Sequence, residues 1–204
     1  MKIHPIATIL SLGAAVILAF CVLIEANAQT ASSAASAAQT EAARTEPTQT
    51  ENVSAFQVIG VAVRTTNAKE SSGNGEIPKL WQRVMQEDMI DKNPNRADQH
   101  LVVVNTNYAS DQNGEYDYIV GSRVTSAKDV PAGFVAVSVP AGKYAVVESE
   151  KGPPQEILPK VWRRIWAMSP AELGGTRAFK TDYEVYPAEM DGQNTQVTIY
   201  LGLK

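Results

Sequence analysis

The chain has 204 residues, 44% of them hydrophobic and 20% charged, which excludes a wholly disordered polypeptide and fits one folded domain or two small ones. A net charge of −4, from 18 basic against 22 acidic residues, argues against a nucleic-acid-binding surface. With one cysteine, Cys21, an intrachain disulfide and a thiolate metal site are excluded by counting.

The chain opens with Lys2 and an uncharged apolar run, residues 6–24, followed by Ala26-Asn27-Ala28. This is the pattern of a secretory signal peptide, residues 1–28, cut after Ala28. The competing reading is an uncleaved anchor, because 19 apolar residues just suffice to cross a bilayer. Lipidation at Cys21 is the weakest reading, because Phe20 stands where a small residue is needed. The expected location is periplasmic or secreted, with no membrane contact once the segment is cut. Residues 29–54 are almost all Ala, Ser, Thr, Gln and Glu, which cannot bury enough area to offset chain entropy. They read as a disordered tether, and the folded domain as residues 55–204.

Within the domain, residues 56–66 (FQVIGVAVRTT) read as a strand and residues 77–85 as a helix. Residues 101–107 and 116–124 are strands joined by the turn Asp111-Gln112-Asn113-Gly114. Residues 134–139 and 144–148 form a strand-like run interrupted by Pro140-Ala141-Gly142. A helix at 158–166 follows, then strands at 179–186 and 195–203 around Asp191-Gly192-Gln193-Asn194. The two helices, Ile77-Pro78-Lys79-Leu80-Trp81-Gln82-Arg83-Val84-Met85 and Leu158-Pro159-Lys160-Val161-Trp162-Arg163-Arg164-Ile165-Trp166, repeat Pro, Lys, Trp and Arg at one offset of 81. Each carries its Pro at an early helical position, where the missing N–H costs little. Ile77, Leu80 and Val84, and likewise Leu158, Val161 and Ile165, share a face. The expected fold class is α+β: duplicated β-α-β-β units forming an antiparallel sheet, with two helices packed on one face and a central cleft.

Val137-Ser138-Val139-Pro140-Ala141-Gly142-Lys143-Tyr144-Ala145-Val146-Val147-Glu148, Lys151-Gly152, the Trp162 helix and Asp182-Tyr183-Glu184-Val185-Tyr186 resemble the GyrI-like (AraC-type effector-binding) family, and Tyr116-Asp117-Tyr118 with Gly121 fits its third strand. The resemblance implies a tandem β-α-β-β fold whose central cleft binds lipophilic, commonly cationic, small molecules. It places the cleft's acid at Glu184, with Trp81, Tyr118, Trp162, Trp166 and Tyr186 as the aromatic candidates around it.

The residues themselves leave alternatives open. Strand alternation puts Lys180, Asp182, Glu184 and Tyr186 on one side. Glu184 is then either a solvated carboxylate beside Lys180 or an acid among rings, whose charge a ligand cation would compensate. Trp81 and Trp162 are either core or lining, and Tyr118 is equally divided between the two. Tyr144 reads as structural. No cofactor motif or metal spacing is present, and Glu87, Asp88 and Asp91 read as a solvated face. A Ser-His-Asp hydrolase would have to use His100, in a polar connection. The leading expectation is an exported small-molecule-binding protein for lipophilic cations, with no nucleic-acid partner. The alternative is a GyrI-like hydrolase using Glu184 as general base with Tyr118 or Tyr186 as helper. A third option is a groove that receives another envelope protein.

Overall fold

The computed structural model describes residues 48–204. The expected signal peptide, Cys21 and most of the tether lie outside the described residues. The elements are β1 (Thr50–Val53), β2 (Phe56–Thr65), α1 (Ile77–Gln86), β3 (Leu101–Thr106), β4 (Tyr116–Val124), β5 (Val135–Val139), β6 (Gly142–Glu148), α2 (Pro154–Ala167), β7 (Arg177–Tyr186) and β8 (Thr198–Leu203). Between β2 and α1 a helical turn, Asn67–Lys69, widens into a π turn, Glu70–Asn74. All strand pairs are antiparallel, in the order β1-β6-β8-β7-β3-β4-β2-β5. The α+β class is therefore correct.

The sheet is curled, and two distances show how far. Phe56 of β2 and Tyr183 of β7 lie three strand steps apart, about 14 Å in a flat sheet. Their ring centroids are 5.2 Å apart. Likewise β5 and β6 occupy nearly opposite ends of the strand order, yet only Pro140 and Ala141 join them. The run read as one interrupted strand is thus two strands on different neighbours. Pro140 has no N–H to continue a ladder, so the chain leaves one edge there and starts on the other. β1 leads into β2 but pairs with β6, and β5 leads into β6 but pairs with β2, so each leading strand clasps the opposite side.

β1 corrects the tether boundary. Thr50–Val53 pair with 142–145 of β6, and Val53 packs on a buried apolar cluster. This polar segment is ordered because the neighbouring strand satisfies its backbone.

Gly60 and Gly121 face each other across β2 and β4 and permit close approach of the two backbones. A Cβ on Gly121 would lie 2.2 Å from the Ile59 carbonyl oxygen. Gly121→Ala is therefore expected to cost about 1–3 kcal/mol, read as a lower denaturant midpoint, because backbone must move to admit a methyl. An unchanged midpoint would show that the strands have slack at this crossing.

Both sheet faces are buried around β3. Val103 joins a cluster with Val61, Val120, Ile199 and Leu201, together with Leu80 and Val84 of α1 and Ile157, Val161 and Ile165 of α2. Val102 and Val104 join a second cluster with Val58, Ile119, Tyr144 and Tyr183. This explains the near-continuous apolar reading of β3. Tyr144 does belong to that packing: its hydroxyl donates to the Pro140 carbonyl at 2.9 Å, and burial raises its pKa to about 12.

α2 begins four residues before the predicted start. Pro154 takes the first helical position and Pro153 keeps the extended backbone favoured before a proline. Pro159 is consequently inside the helix and cannot bond to the Gln155 carbonyl, in contrast to the expected early position. Pro78 of α1 does occupy the first turn.

Candidate functional site

Between the helices and the sheet lies a cavity of about 780 Å³. Each helix contributes one aromatic flank to it. The buried stripe of α1, Leu80 and Val84, turns Trp81 and Met85 one position round onto the cavity. The stripe of α2, Ile157, Val161 and Ile165, does the same for Trp162 and Trp166, whose rings lie 6.4 Å apart. From the sheet come Tyr116 and Tyr118 of β4 and Glu184 and Tyr186 of β7, alternate residues in each strand and so on one face. Trp81, Tyr118, Trp162, Trp166, Glu184 and Tyr186 all line this one cavity. Trp81 and Trp162 are half-buried, between the core and lining alternatives.

Glu184 is 2% exposed. Trp162 Nε1 donates to its Oε1 at 2.7 Å, and the Tyr186 hydroxyl donates to its Oε2 at 2.7 Å. Trp81 Nε1 donates in parallel fashion to the Tyr118 hydroxyl at 2.9 Å, and the Trp81 and Tyr186 rings meet at 5.5 Å. Burial pushes the Glu184 carboxyl above the usual carboxylate range, against the opposing pull of the bonds from Tyr186 and Trp162. Burial, reinforced by the Glu184 charge, holds the Tyr118 and Tyr186 hydroxyls well above the ordinary tyrosine value, so both stay protonated. Among the described residues no basic side chain lies within ion-pair distance of Glu184. Lys180 is exposed and makes no such pair.

The second acid on this strand face is handled differently. Asp182 is completely enclosed and pairs with Arg177. It also accepts from the Tyr108 hydroxyl at 2.7 Å and from the Gly202 N–H at 2.9 Å. Arg177, Tyr108 and Asn105 border the cavity, and sequence reasoning singled out none of them. Tyr116 was legible as the alternate neighbour of Tyr118. Arg177 was not, because a register shift in β7 and Phe179 at φ 49° break the strand's alternation between Arg177 and Asp182. Glu70 was also missed. It borders the cavity and caps α1, accepting from the N–H groups of Glu76 at 2.9 Å and Ile77 at 3.2 Å and from the Thr65 hydroxyl. His100 is exposed, lies outside the lining and bonds to half-buried Asp98.

A concave apolar chamber with a few convergent polar groups is the form of a small-molecule site, and the fold and chamber together define an effector-binding domain. The model of the Cass2 family, integron-associated effector-binding proteins, matches residues 50–203, and the chain belongs to that family among the GyrI-like effector-binding proteins. It is 31% identical over 147 residues to the putative transcriptional regulator YobU of Bacillus subtilis, covering 71% of this chain and 90% of that protein. It is 29% identical over 151 residues to the transcriptional regulator BrlR of Pseudomonas aeruginosa, covering 72% of this chain but only 52% of that longer protein. Among solved structures it resembles an integron cassette protein from the mobile metagenome of Vibrio cholerae (TM-score 0.60, 24% identity, 78% of this chain and 97% of that one). It also resembles SAV2435 bound to tetraphenylphosphonium (TM-score 0.62, 17% identity, 78% and 94%).

Proposed function

We propose that this domain binds lipophilic organic cations in the aromatic cavity, with Glu184 as the counter-charge and Trp81, Tyr118, Trp162, Trp166 and Tyr186 as the surrounding walls. The observation that carries the reading is the difference between two neighbouring acids. Asp182 has its own arginine, whereas Glu184 has only neutral donors. Leaving a buried carboxylate without a cation is costly, and a ligand cation removes that cost. The rings around it add cation–π attraction of roughly 0.5–2 kcal/mol each. The tetraphenylphosphonium held by SAV2435 is a cation of this kind.

The hydrolase alternative asks Glu184 to take a proton from water. Both of its oxygens already accept a hydrogen bond, which favours a charge partner over a base. The signal-like segment ending at Ala28 supports action outside the cytoplasm, as a receptor or scavenger. The regulators among its relatives support an intracellular role instead.

We further propose that the domain is a duplicated β-α-β-β unit. The offset of 81 maps Val103 onto Glu184, and these two residues face each other across β3 and β7. It also maps Ile77 onto Leu158, Pro78 onto Pro159, Trp81 onto Trp162, Met85 onto Trp166 and Asn105 onto Tyr186, and every one of these lines the cavity. A pseudo-twofold axis through the Val103–Glu184 pair accounts for all six correspondences. The two helix flanks of the cavity thus correspond, whereas Glu184 has an apolar counterpart.

The test is direct because the chain has three tryptophans and all three border the cavity. Adding tetraphenylphosphonium to the full chain is expected to quench their emission saturably, with matching heat in calorimetry. Absence of both signals would overturn the reading. Turnover of simple esters, lost in Glu184→Gln, would move it to the hydrolase.

A further inference from the structure

We infer that the cavity selects cations that carry no N–H donors, quaternary or charge-delocalised, over protonated amines of the same skeleton. This rests on the cation-binding reading above and names the class of cation. Two carboxylates border the cavity, Glu184 and Glu70. Both are already hydrogen-bonded at both oxygens. Glu184 receives Trp162 and Tyr186, and Glu70 receives Thr65 and the backbone N–H groups that begin α1. The next oxygen, on Tyr118, already accepts from Trp81, and the neutral amide oxygen of Asn105 is buried without a partner.

A primary ammonium brings three strongly hydrated N–H donors. At the acid it finds only second lone pairs on oxygens whose better directions are occupied, and the single neutral oxygen of Asn105 cannot take three donors, so at least one donor is stranded there. Each stranded donor costs about tenfold or more in affinity. A quaternary ammonium or phosphonium brings none. It gains the carboxylate's attraction through space and the ring faces through cation–π contact, and neither of these requires a free lone pair. Trp162 and Tyr186 thus do more than line a wall: by occupying the acid's oxygens they convert a hydrogen-bonding carboxylate into a source of field alone.

The experiment compares 4-biphenylmethyl-trimethylammonium with 4-biphenylmethylammonium, both cationic at pH 7, by calorimetry on the full chain. The wild type is expected to bind the quaternary probe at least tenfold tighter. Trp162→Phe frees Oε1 and Tyr186→Phe frees Oε2, and each is expected to shrink that ratio about fivefold or more. The ratio is the readout, because losing a donor to Glu184 weakens the charged acid toward both probes. Added methyl groups favour the quaternary probe through apolar contact as well, but that part of the ratio does not respond to Tyr186→Phe, which keeps the ring and removes only the hydroxyl. Equal affinity in the wild type, or a ratio unmoved in both variants, overturns the inference while leaving cation binding intact. Binding of neither probe removes the cation-binding reading and the inference with it.

Discussion

Glu184→Gln is expected to weaken tetraphenylphosphonium binding by about 10–100-fold and, at neutral pH, to raise the melting temperature of the empty protein. The first effect is the loss of the one fully buried carboxylate that lines the cavity without a basic partner among the described residues, about 1.4–2.8 kcal/mol. The second follows from linkage. The Glu184 carboxyl is raised above its unfolded value of 4.5 by burial. Between the unfolded and folded values the unfolded chain has released its proton and the folded chain has kept it, so stability falls as pH rises through that window and stays low above it. Each unit of elevation is about 1.4 kcal/mol, and about 2–4 °C per kcal/mol is typical of a domain this size. Gln carries no such penalty. Its amide also fits the site, because Trp162 can donate to the amide oxygen while the Tyr186 hydroxyl, donor or acceptor, takes the amide hydrogen. The advantage of the variant should therefore grow as pH rises from the unfolded value toward the raised folded one. Over the same range the wild type should bind this permanently charged probe more tightly as its acid ionises, while the variant stays flat. A variant that melts below the wild type at every pH would show Glu184 to be a structural hydrogen-bonding residue and not a stored charge.

This opposition between stability and binding bears on how much of the site was legible in the sequence. The two helices were readable from their own residues, because Pro, Lys, Trp and Arg recur at one offset and the apolar positions have helical spacing. The pairing of Glu184 with Tyr186 was readable from strand alternation. That Glu184 is buried and lacks a cation was not, since alternation tells which side a residue takes and not what covers that side. Only the family resemblance pointed there. β1 was illegible because Thr50–Val53 is polar and short, and its order comes from β6, almost a hundred residues away. The crossing at Pro140 was visible as a break but not as a change of neighbour, because local residues do not encode the curl that brings the sheet's two edges together. The start of α2 was misplaced by the repeat itself: matching Pro159 to Pro78 hid the better-placed Pro154. Arg177 escaped for a similar reason, since a bulged strand has no period to read.

Arg177→Met is expected to cost about 3–5 kcal/mol, one of the largest single-residue effects in this domain, as is usual when one partner of an enclosed ion pair is removed. Asp182 has no exposed surface, and without Arg177 only the neutral donors of Tyr108 and Gly202 remain to it. Several features of β7 hold the arginine there. The register shift after Arg177 lets it meet an acid only five residues on, and Phe179, in the left-handed region at φ 49°, lays its ring 4.3 Å from the guanidinium carbon. A phenylalanine in that conformation costs on the order of 1 kcal/mol, which the ion pair and the cation–π contact offset. The pair is not fully solvated by the protein, because Arg177 Nε and Nη1 are buried without partners. Removing both charges should therefore be milder than removing one. Arg177→Met combined with Asp182→Asn is expected to regain at least half of the loss, since Asn keeps an oxygen for the Gly202 N–H and an amide that Tyr108 can accept. Denaturant unfolding of wild type, single and double variants at pH 7 reads this directly. Equal losses in the single and the double variant would mean that Arg177 matters for the packing of its stem and not for its charge. A single loss below about 1 kcal/mol would mean that Asp182 is stabilised by its neutral donors alone, and the distinction between a compensated Asp182 and an uncompensated Glu184, on which the cation site rests, would then disappear.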